Sequence, residues 1–311
     1  TPQRASMTNV EFLHQLFDRL WAAYRDRVTY ARDYEGVVEE AGARFVNDHI
    51  AFRSIAWQQP TAGLSSISRP FEALGYRPAA CYHFPGKHLQ AIHLEPPVDE
   101  SPDHRPLPKL FVSELQAWKL DESSRRHLSH SLDHHRPPLA IDLLGRLARI
   151  DSTEHHSALL ETLAAWFLER PWPAPRRSDV ESISEVSQYA AWVLVHGYAV
   201  NHFTGLINAH GVEPLATIEK TVSALQAAGV PMKSEIEGAV GSRLRQTATE
   251  AVVVDVEITE SGQAGSMPWT YAYFELAERG EVVDPATGEP SRFEGFLGPQ
   301  ATQLFDMTRR S

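Results

Sequence analysis

Apolar positions change their period along the chain, and the changes divide it into segments. Phe12, Leu13, Leu16, Phe17, Leu20, Trp21 and Tyr24 recur at three- and four-residue steps, the single stripe of an amphipathic helix. Thr8 or Asn9 can cap its start, and Gly42 punctuates the end of the helical stretch. The segment 45–55 is then extended in character, and a short helix over 67–74 stops at Gly75. Further extended pieces are predicted over 80–84 and 88–95 and, beyond a proline-rich loop, over 109–115. Residues 121–196 read as helical, broken at Pro137-Pro138 and over 171–175. Leu159, Leu160, Leu163, Trp166 and Phe167 share one face there, and a last helix spans 179–196. Extended structure returns over 198–208, and a helix over 214–228 stops at Gly229. Valine-rich 251–259 and aromatic-rich 269–279 read as strands.

That order contains an internal repeat. Phe45-Val46-Asn47-Asp48-His49 resembles Ala199-Val200-Asn201-His202, and Phe71-Glu72-Ala73-Leu74-Gly75 resembles the run from Val222 to Gly229. Phe111-Val112-Ser113-Glu114-Leu115 resembles Tyr273-Phe274-Glu275-Leu276, which would make Glu114 the counterpart of Glu275. Each half reads strand, helix, strand, strand, strand. The expectation is an α+β fold in which two such units, 45–116 and 198–280, form a curved mixed sheet with an open concave face. N-terminal helices (7–44), a helical insert (121–196) and a closing segment (281–311) complete one catalytic domain.

Composition narrows the function classes. The 311 residues carry 29 Lys+Arg against 40 Asp+Glu, and a net charge of −11 argues against a general nucleic-acid binder. The lone Cys81 rules out a disulfide framework and a cysteine zinc ribbon. No apolar run approaches the roughly 20 residues of a membrane span, and residues 1–7 lack the profile of a signal peptide. A soluble protein of the reducing cytoplasm is the expectation.

Fifteen histidines are the unusual feature, six of them between His127 and His156. Alternation along a strand puts His49, Ala51 and Arg53 on one face and Val46, Ile50 and Phe52 on the other. His49 and Arg53 then lie roughly 13 Å apart along the strand, a span suited to a small dicarboxylate. His202 stands at the equivalent place of the repeat, and Glu275 sits in an aromatic strand where burial is costly unless it is paired or bound to a metal. Two histidines and one carboxylate facing one concavity form the donor set of non-haem Fe(II) oxygenases. The competing assignments are an ion pair of Glu275 with Arg279 or a lysine, and a surface ion pair for Arg53. His127, His130 and His134 share a helix face and read as solvated, as do His134-His135 and His155-His156.

The motifs His49-Ile50-Ala51-Phe52-Arg53-Ser54, Val200-Asn201-His202-Phe203-Thr204, 108–115 (Pro-Lys-Leu-Phe-Val-Ser-Glu-Leu) and 273–279 (Tyr-Phe-Glu-Leu-Ala-Glu-Arg) resemble the 2-oxoadipate dioxygenase/decarboxylase family, also called hydroxyglutarate synthase. Phe293-Glu294-Gly295-Phe296 and the Gln300-Ala301 to Leu304-Phe305 stretch fit it too, and the likeness runs from about residue 10 to 308. The resemblance implies a vicinal-oxygen-chelate-like fold with Fe(II) on His49, His202 and Glu275. It also implies Arg53 on a substrate carboxylate, and O2 with a 2-oxo dicarboxylic acid as co-substrates. The expected reaction is oxidative decarboxylation of 2-oxoadipate to 2-hydroxyglutarate. Gln246, Thr247 and Lys109 are further candidate substrate contacts. The chain is similar to a shorter branch, since the lysine-catabolic members carry extra C-terminal sequence. The alternatives are a non-redox metal-dependent lyase, isomerase or hydrolase on the same scaffold, and a non-catalytic small-acid binder.

Overall fold

The computed structural model describes residues 8–98, 105–150, 156–298 and 305–306. Helix α1 (Asn9–Arg27) starts at Thr8, whose hydroxyl accepts from Glu11 N while the Glu11 carboxylate accepts from Thr8 N. Its predicted stripe is buried except for Trp21, which is partly covered. Val28 separates it from α2 (Thr29–Glu40). The first half of the repeat follows as β1 (Asn47–Gln58), the short β2 (Thr61–Ala62), α3 (Leu64–Ala73), β3 (Arg77–Phe84), β4 (Leu89–Glu95) and β5 (Lys109–Gln116). The insert holds α4 (Glu122–Leu132), α5 (Ile141–Leu147), α6 (His156–Leu168), α7 (Arg177–Val186) and α8 (Gln188–His196). The predicted single helix over 179–196 is therefore two. Ser187 takes an extended conformation and caps α8 by accepting from Ala190 N.

The second half is β6 (His202–Leu206), α9 (Ile218–Ala227), β7 (Leu244–Ala248), β8 (Val253–Glu260), β9 (Gln263–Thr270) and β10 (Glu275–Arg279). β11 (Glu281–Val283) and β12 (Pro290–Arg292) form a small hairpin. The main sheet runs β3-β4-β5-β1-β6-β10-β7, with β2 paired to β1, and curls into the concave surface expected. Each half places its first strand beside its last in parallel, β1 with β5 and β6 with β10. β1 and β6 meet antiparallel at the centre.

Two departures from the predicted strands concern the second half. The valine-rich strand and the one after it, β8 and β9, pair with each other in a hairpin separate from the main sheet. The predicted strand over 269–279 is interrupted at residues 271–274, where the chain crosses from that hairpin into the main sheet. The rings there pack on the N-terminal helices instead, Tyr271 against Tyr24, and Phe274 against Trp21 and Tyr34. β7 was not predicted, because Arg245, Gln246 and Thr247 give it no apolar alternation, yet all five of its residues are buried. No helix among the described residues is long and apolar enough to cross a membrane.

Close packing fixes the height of β6. A Cβ on Gly205 would stand 2.5 Å from the Tyr34 hydroxyl and 2.8 Å from Cζ. Tyr34 is fully buried, lies 4.5 Å from the Phe274 ring, and bonds His210 Nε2 at 2.7 Å. Gly205→Ala should therefore lower stability by about 1–3 kcal/mol through overpacking. Urea unfolding checks this, the expected result being a lower midpoint at an unchanged slope.

Candidate metal centre

His49 and His202 arrive at the sheet centre on β1 and β6. Their Nε2 atoms are 3.3 Å apart. Glu275, the first residue of β10, brings Oε1 to 3.3 Å from His49 Nε2 and Oε2 to 3.2 Å from His202 Nε2. All three side chains are buried, Glu275 completely. Its Oε2 has no hydrogen-bond donor aimed at it despite the nearby imidazole, so distance alone does not satisfy the carboxylate. Donors bonded to one ion at about 2.0–2.2 Å stand about 3 Å apart on adjacent positions, which matches this triangle. The donor set and the orphaned buried oxygen both fit a divalent metal ion.

The outward nitrogens are held in turn. His49 Nδ1 bonds Asp48 Oδ2 at 2.8 Å, and His202 Nδ1 lies 3.0 Å from both Asn201 Oδ1 and the Tyr273 hydroxyl. These contacts put the ring proton on Nδ1 and leave Nε2 to the site. Neighbours on a strand ordinarily face opposite ways, but the β1–β6 register shifts between Asn47 and Ile50, and this irregularity lets Asp48 bond His49. Asp48 in turn receives Arg279 Nε at 2.6 Å and Nη2 at 2.9 Å, a buried two-point pair. Arg279 Nη1 donates to the carbonyls of Phe293 and Gly295, fixing the loop that lays Phe296 edge-on to His49 at 4.9 Å. Arg279 thus pairs with Asp48, and Glu275 accepts from Gln246 Nε2 at 2.7 Å instead.

Electrostatics follow burial and these partners. Desolvation lowers the His202 pKa to about 3, so its imidazole is neutral and able to ligate. Burial also works against a charged His49, but Glu275 and Asp48 outweigh it and raise its pKa. Burial would raise the Glu275 and Asp48 carboxyls, yet the histidines hold the first below its usual value and Arg279 holds the second far below.

A cavity opens from this cluster, walled by His49, Arg53, Phe111, His202, Tyr273 and Phe296 among others. The Arg53 guanidinium, four residues along β1 from His49, lies 5.1 Å from the rings of both Tyr189 and Trp192. Gln246 lines the cavity, whereas Lys109 and Thr247 stand outside its wall. The Lys109 ammonium is 2.5 Å from Glu294, and the Thr247 hydroxyl donates to the Glu235 carbonyl. Glu114 points away, accepting from Leu64 N and Gln90.

A second cluster joins His127 and His130, whose Nδ1 atoms bond Asp179 at 2.7 and 3.0 Å, with an Arg176 guanidinium nitrogen 3.4 Å from His130. His134 is exposed and outside the cluster. His135 and His156 are buried rather than exposed, the former with Nε2 2.7 Å from the Tyr198 hydroxyl. His155 lies outside the described residues. Sequence reasoning missed Asp48, Asn201, Tyr273, Arg279 and Phe296 as supports. The signal for the first two was an acceptor immediately before each histidine.

Comparison with known proteins agrees with this architecture. The profile of the 2-oxoadipate dioxygenase/decarboxylase family matches residues 16–290. A 2-oxoadipate dioxygenase/decarboxylase of chloroplasts and amyloplasts from Oryza sativa subsp. japonica is 29% identical over 281 residues, covering 86% of this chain and 70% of the relative. The crystal structure of the Oryza sativa hydroxyglutarate synthase in complex with 2-oxoadipate superposes with a TM-score of 0.77 at 24% identity, covering 99% of this chain and 96% of that one. A glyoxalase-superfamily structure from Ralstonia eutropha JMP134 gives 0.78 at 24% identity, covering 94% and 87%.

Asp48→Asn preserves size but removes the charge facing Arg279. It should cost about 3–5 kcal/mol of stability, as for other broken buried pairs. It should also weaken divalent-metal binding about 10- to 100-fold by loosening the His49 ring. Chemical denaturation and chelator competition read the two effects separately.

Proposed function

Because the chain belongs to the 2-oxoadipate dioxygenase/decarboxylase family, we propose that it is an Fe(II)-dependent enzyme that converts 2-oxoadipate and O2 into 2-hydroxyglutarate and CO2. Six carbons divide into five and one; CO2 keeps the oxygens of the lost carboxylate, and the two atoms of O2 end in 2-hydroxyglutarate, one in its new carboxylate and one in its hydroxyl. His49, His202 and Glu275 would hold the ion. The observation that carries the reading is their convergence, at 3.2–3.3 Å, beside a cavity lined by both histidines and Arg53. When bound, the ion supplies a redox-active Lewis acid with open positions for the carboxylate and keto oxygens of a 2-oxo acid.

The protein's own groups do the rest. Asp48 and Asn201 fix the two imidazoles, and Gln246 fixes the Glu275 carboxylate, so the three donors need no reorganisation when loaded. Arg53 is the group for the distal carboxylate, since its planar fork can engage both oxygens. Its place on the same face of β1 as His49 sets the length of acid that reaches both ends. Phe111, Phe296 and Phe305 line the space between, excluding water from the reacting carbon and strengthening each charge contact.

Metal-free protein reloaded anaerobically with Fe(II) should take up O2 on addition of 2-oxoadipate, in proportion to the CO2 and 2-hydroxyglutarate formed. Zn(II)- or Mn(II)-loaded protein and the His202→Ala variant should take up none. Turnover that is indifferent to O2, or supported by Zn(II), would replace the oxygenase with a non-redox metalloenzyme.

Arg53→Met keeps much of the packing against Tyr189 and Trp192 but removes the fork. For 2-oxoadipate the KM should rise about 10- to 100-fold, the worth of a lost charge-assisted pair. For 2-oxohexanoate, which lacks the second carboxylate, it should change little. Steady-state kinetics with both acids makes the comparison, and an equal loss for the two would remove Arg53 from the distal carboxylate.

A further inference from the structure

The strand register defines the symmetry of the metal centre more closely than the repeat in the sequence does. On the central pair, Ala51 stands opposite His202 and Ile50 opposite Phe203. The same step puts Thr204 opposite His49, and its hydroxyl is 3.1 Å from His49 Nε2. Exchanging the two strands about a local dyad therefore sends His49 to His202 and Ala51 to Thr204. On the outer side, Thr204 is level with Glu275 on β10, and Ala51 is level with Phe111 on β5. The dyad mate of the ligand Glu275 is Phe111. Glu114, the counterpart suggested by sequence, is three residues further along β5.

We propose that Phe111 keeps the coordination sphere open: it occupies the one dyad-related position from which the first half could supply a fourth protein ligand, and fills it with a hydrocarbon ring. Phe111 lines the same cavity as the two histidines. Its ring is 5.1 Å from Phe296, which itself lies against His49, and 5.5 Å from Tyr82, so the position is built as a packed apolar wall. The consequence concerns both number and charge. Three protein donors leave three places on a six-coordinate ion, two for a chelating 2-oxo acid and one for O2. A carboxylate at residue 111 would take one of them and cancel the remaining positive charge that draws an anionic substrate. Phe111 thereby selects a chelating acid plus O2, as opposed to a closed four-ligand site. This inference rests on the metal reading given above.

The test uses the full chain loaded with Co(II), whose visible absorption reports coordination without turnover. Phe111→Glu should hold Co(II) about tenfold more tightly or better in chelator competition, and need about tenfold more 2-oxoadipate or greater to shift the spectrum. Phe111→Leu should stay near wild type in metal affinity. Equal metal affinity and equal acid titrations for Phe111→Glu and Phe111→Leu would overturn the proposal. If Phe111→Glu does not fold, Phe111→Ala with added acetate takes its place. Acetate should compete with 2-oxoadipate in that variant far more strongly than in wild type, and equal competition in the two proteins would overturn the proposal. A wild-type protein that binds no Co(II), or whose spectrum ignores 2-oxoadipate, would instead overturn the parent reading and this inference with it.

Discussion

A guanidinium buried between two strands is the interaction on which the candidate metal centre depends. Arg279 comes from β10, in the second half, and Asp48 from β1, in the first, and neither has water to turn to. An unpaired charge there would cost several kcal/mol, so the pair ties the two halves together at the level of the ligands. Asp48 passes the constraint to His49 through Nδ1, and Arg279 passes it to the 293–295 backbone and so to Phe296. One ion pair thus sets the orientation of His49, the position of the ring that covers it, and the spacing of the strands that carry both. Such a pair adds little net stability against an apolar equivalent. Its role here is geometric.

The central strand pairing was legible because alternation is a strong constraint. His49 and Arg53 had to share a face whichever strands lay alongside, and the matching Val-Asn-His in the second half brought His202 to the same surface. The family motifs added the Glu275 assignment that residue type alone left open against Arg279. What alternation could not give was register between strands, because neighbouring strands can slip by two residues without changing any side chain's face. Matching short motifs aligned Glu114 with Glu275, but Glu114 lies an odd three residues from Phe111 and so faces the other way, and the sheet aligns Phe111 instead. The break at residues 271–274 was hidden for a similar reason. Buried aromatic residues have the composition of a strand whether their backbone pairs in a sheet or crosses between two. β7 was invisible in the opposite sense, since Arg245, Gln246 and Thr247 look like surface yet are buried by ion pairs and carbonyl contacts. The supports of the ligands were the least legible. Arg279 lies 231 residues from Asp48, and local spacing carries no information about such a pair.

The near-symmetry of the halves explains both the resemblance that could be read and the difference that matters. Duplication supplies two equivalent strands and two equivalent histidines, but a fully symmetric centre would carry either two acidic ligands or none. Here the positions diverge twice around one dyad: Glu275 against Phe111, and Thr204 against Ala51. Both changes on the first-half side are towards hydrocarbon. The second half therefore carries the charge and hydrogen bonds of the ligand set, and the first half presents the apolar wall and, at Arg53, the cation.

Charge balance argues that this division suits a dianion. In a buried cavity an uncompensated charge is expensive. The Asp48–Arg279 pair is internally neutral and contributes nothing to the sum. In the proposed reading, a divalent ion with Glu275 would leave one positive charge at the metal end, and Arg53 would place a second at the other end. A 2-oxo acid with two carboxylates would meet both at once, while a monocarboxylate would meet only one. Aromatic faces at 5.1 Å from the Arg53 guanidinium soften the cost of burying it, since a ring quadrupole attracts a cation. The substrate preference in this reading comes from two fixed positive sites on one strand face, whose separation was set when His49 and Arg53 were placed four residues apart.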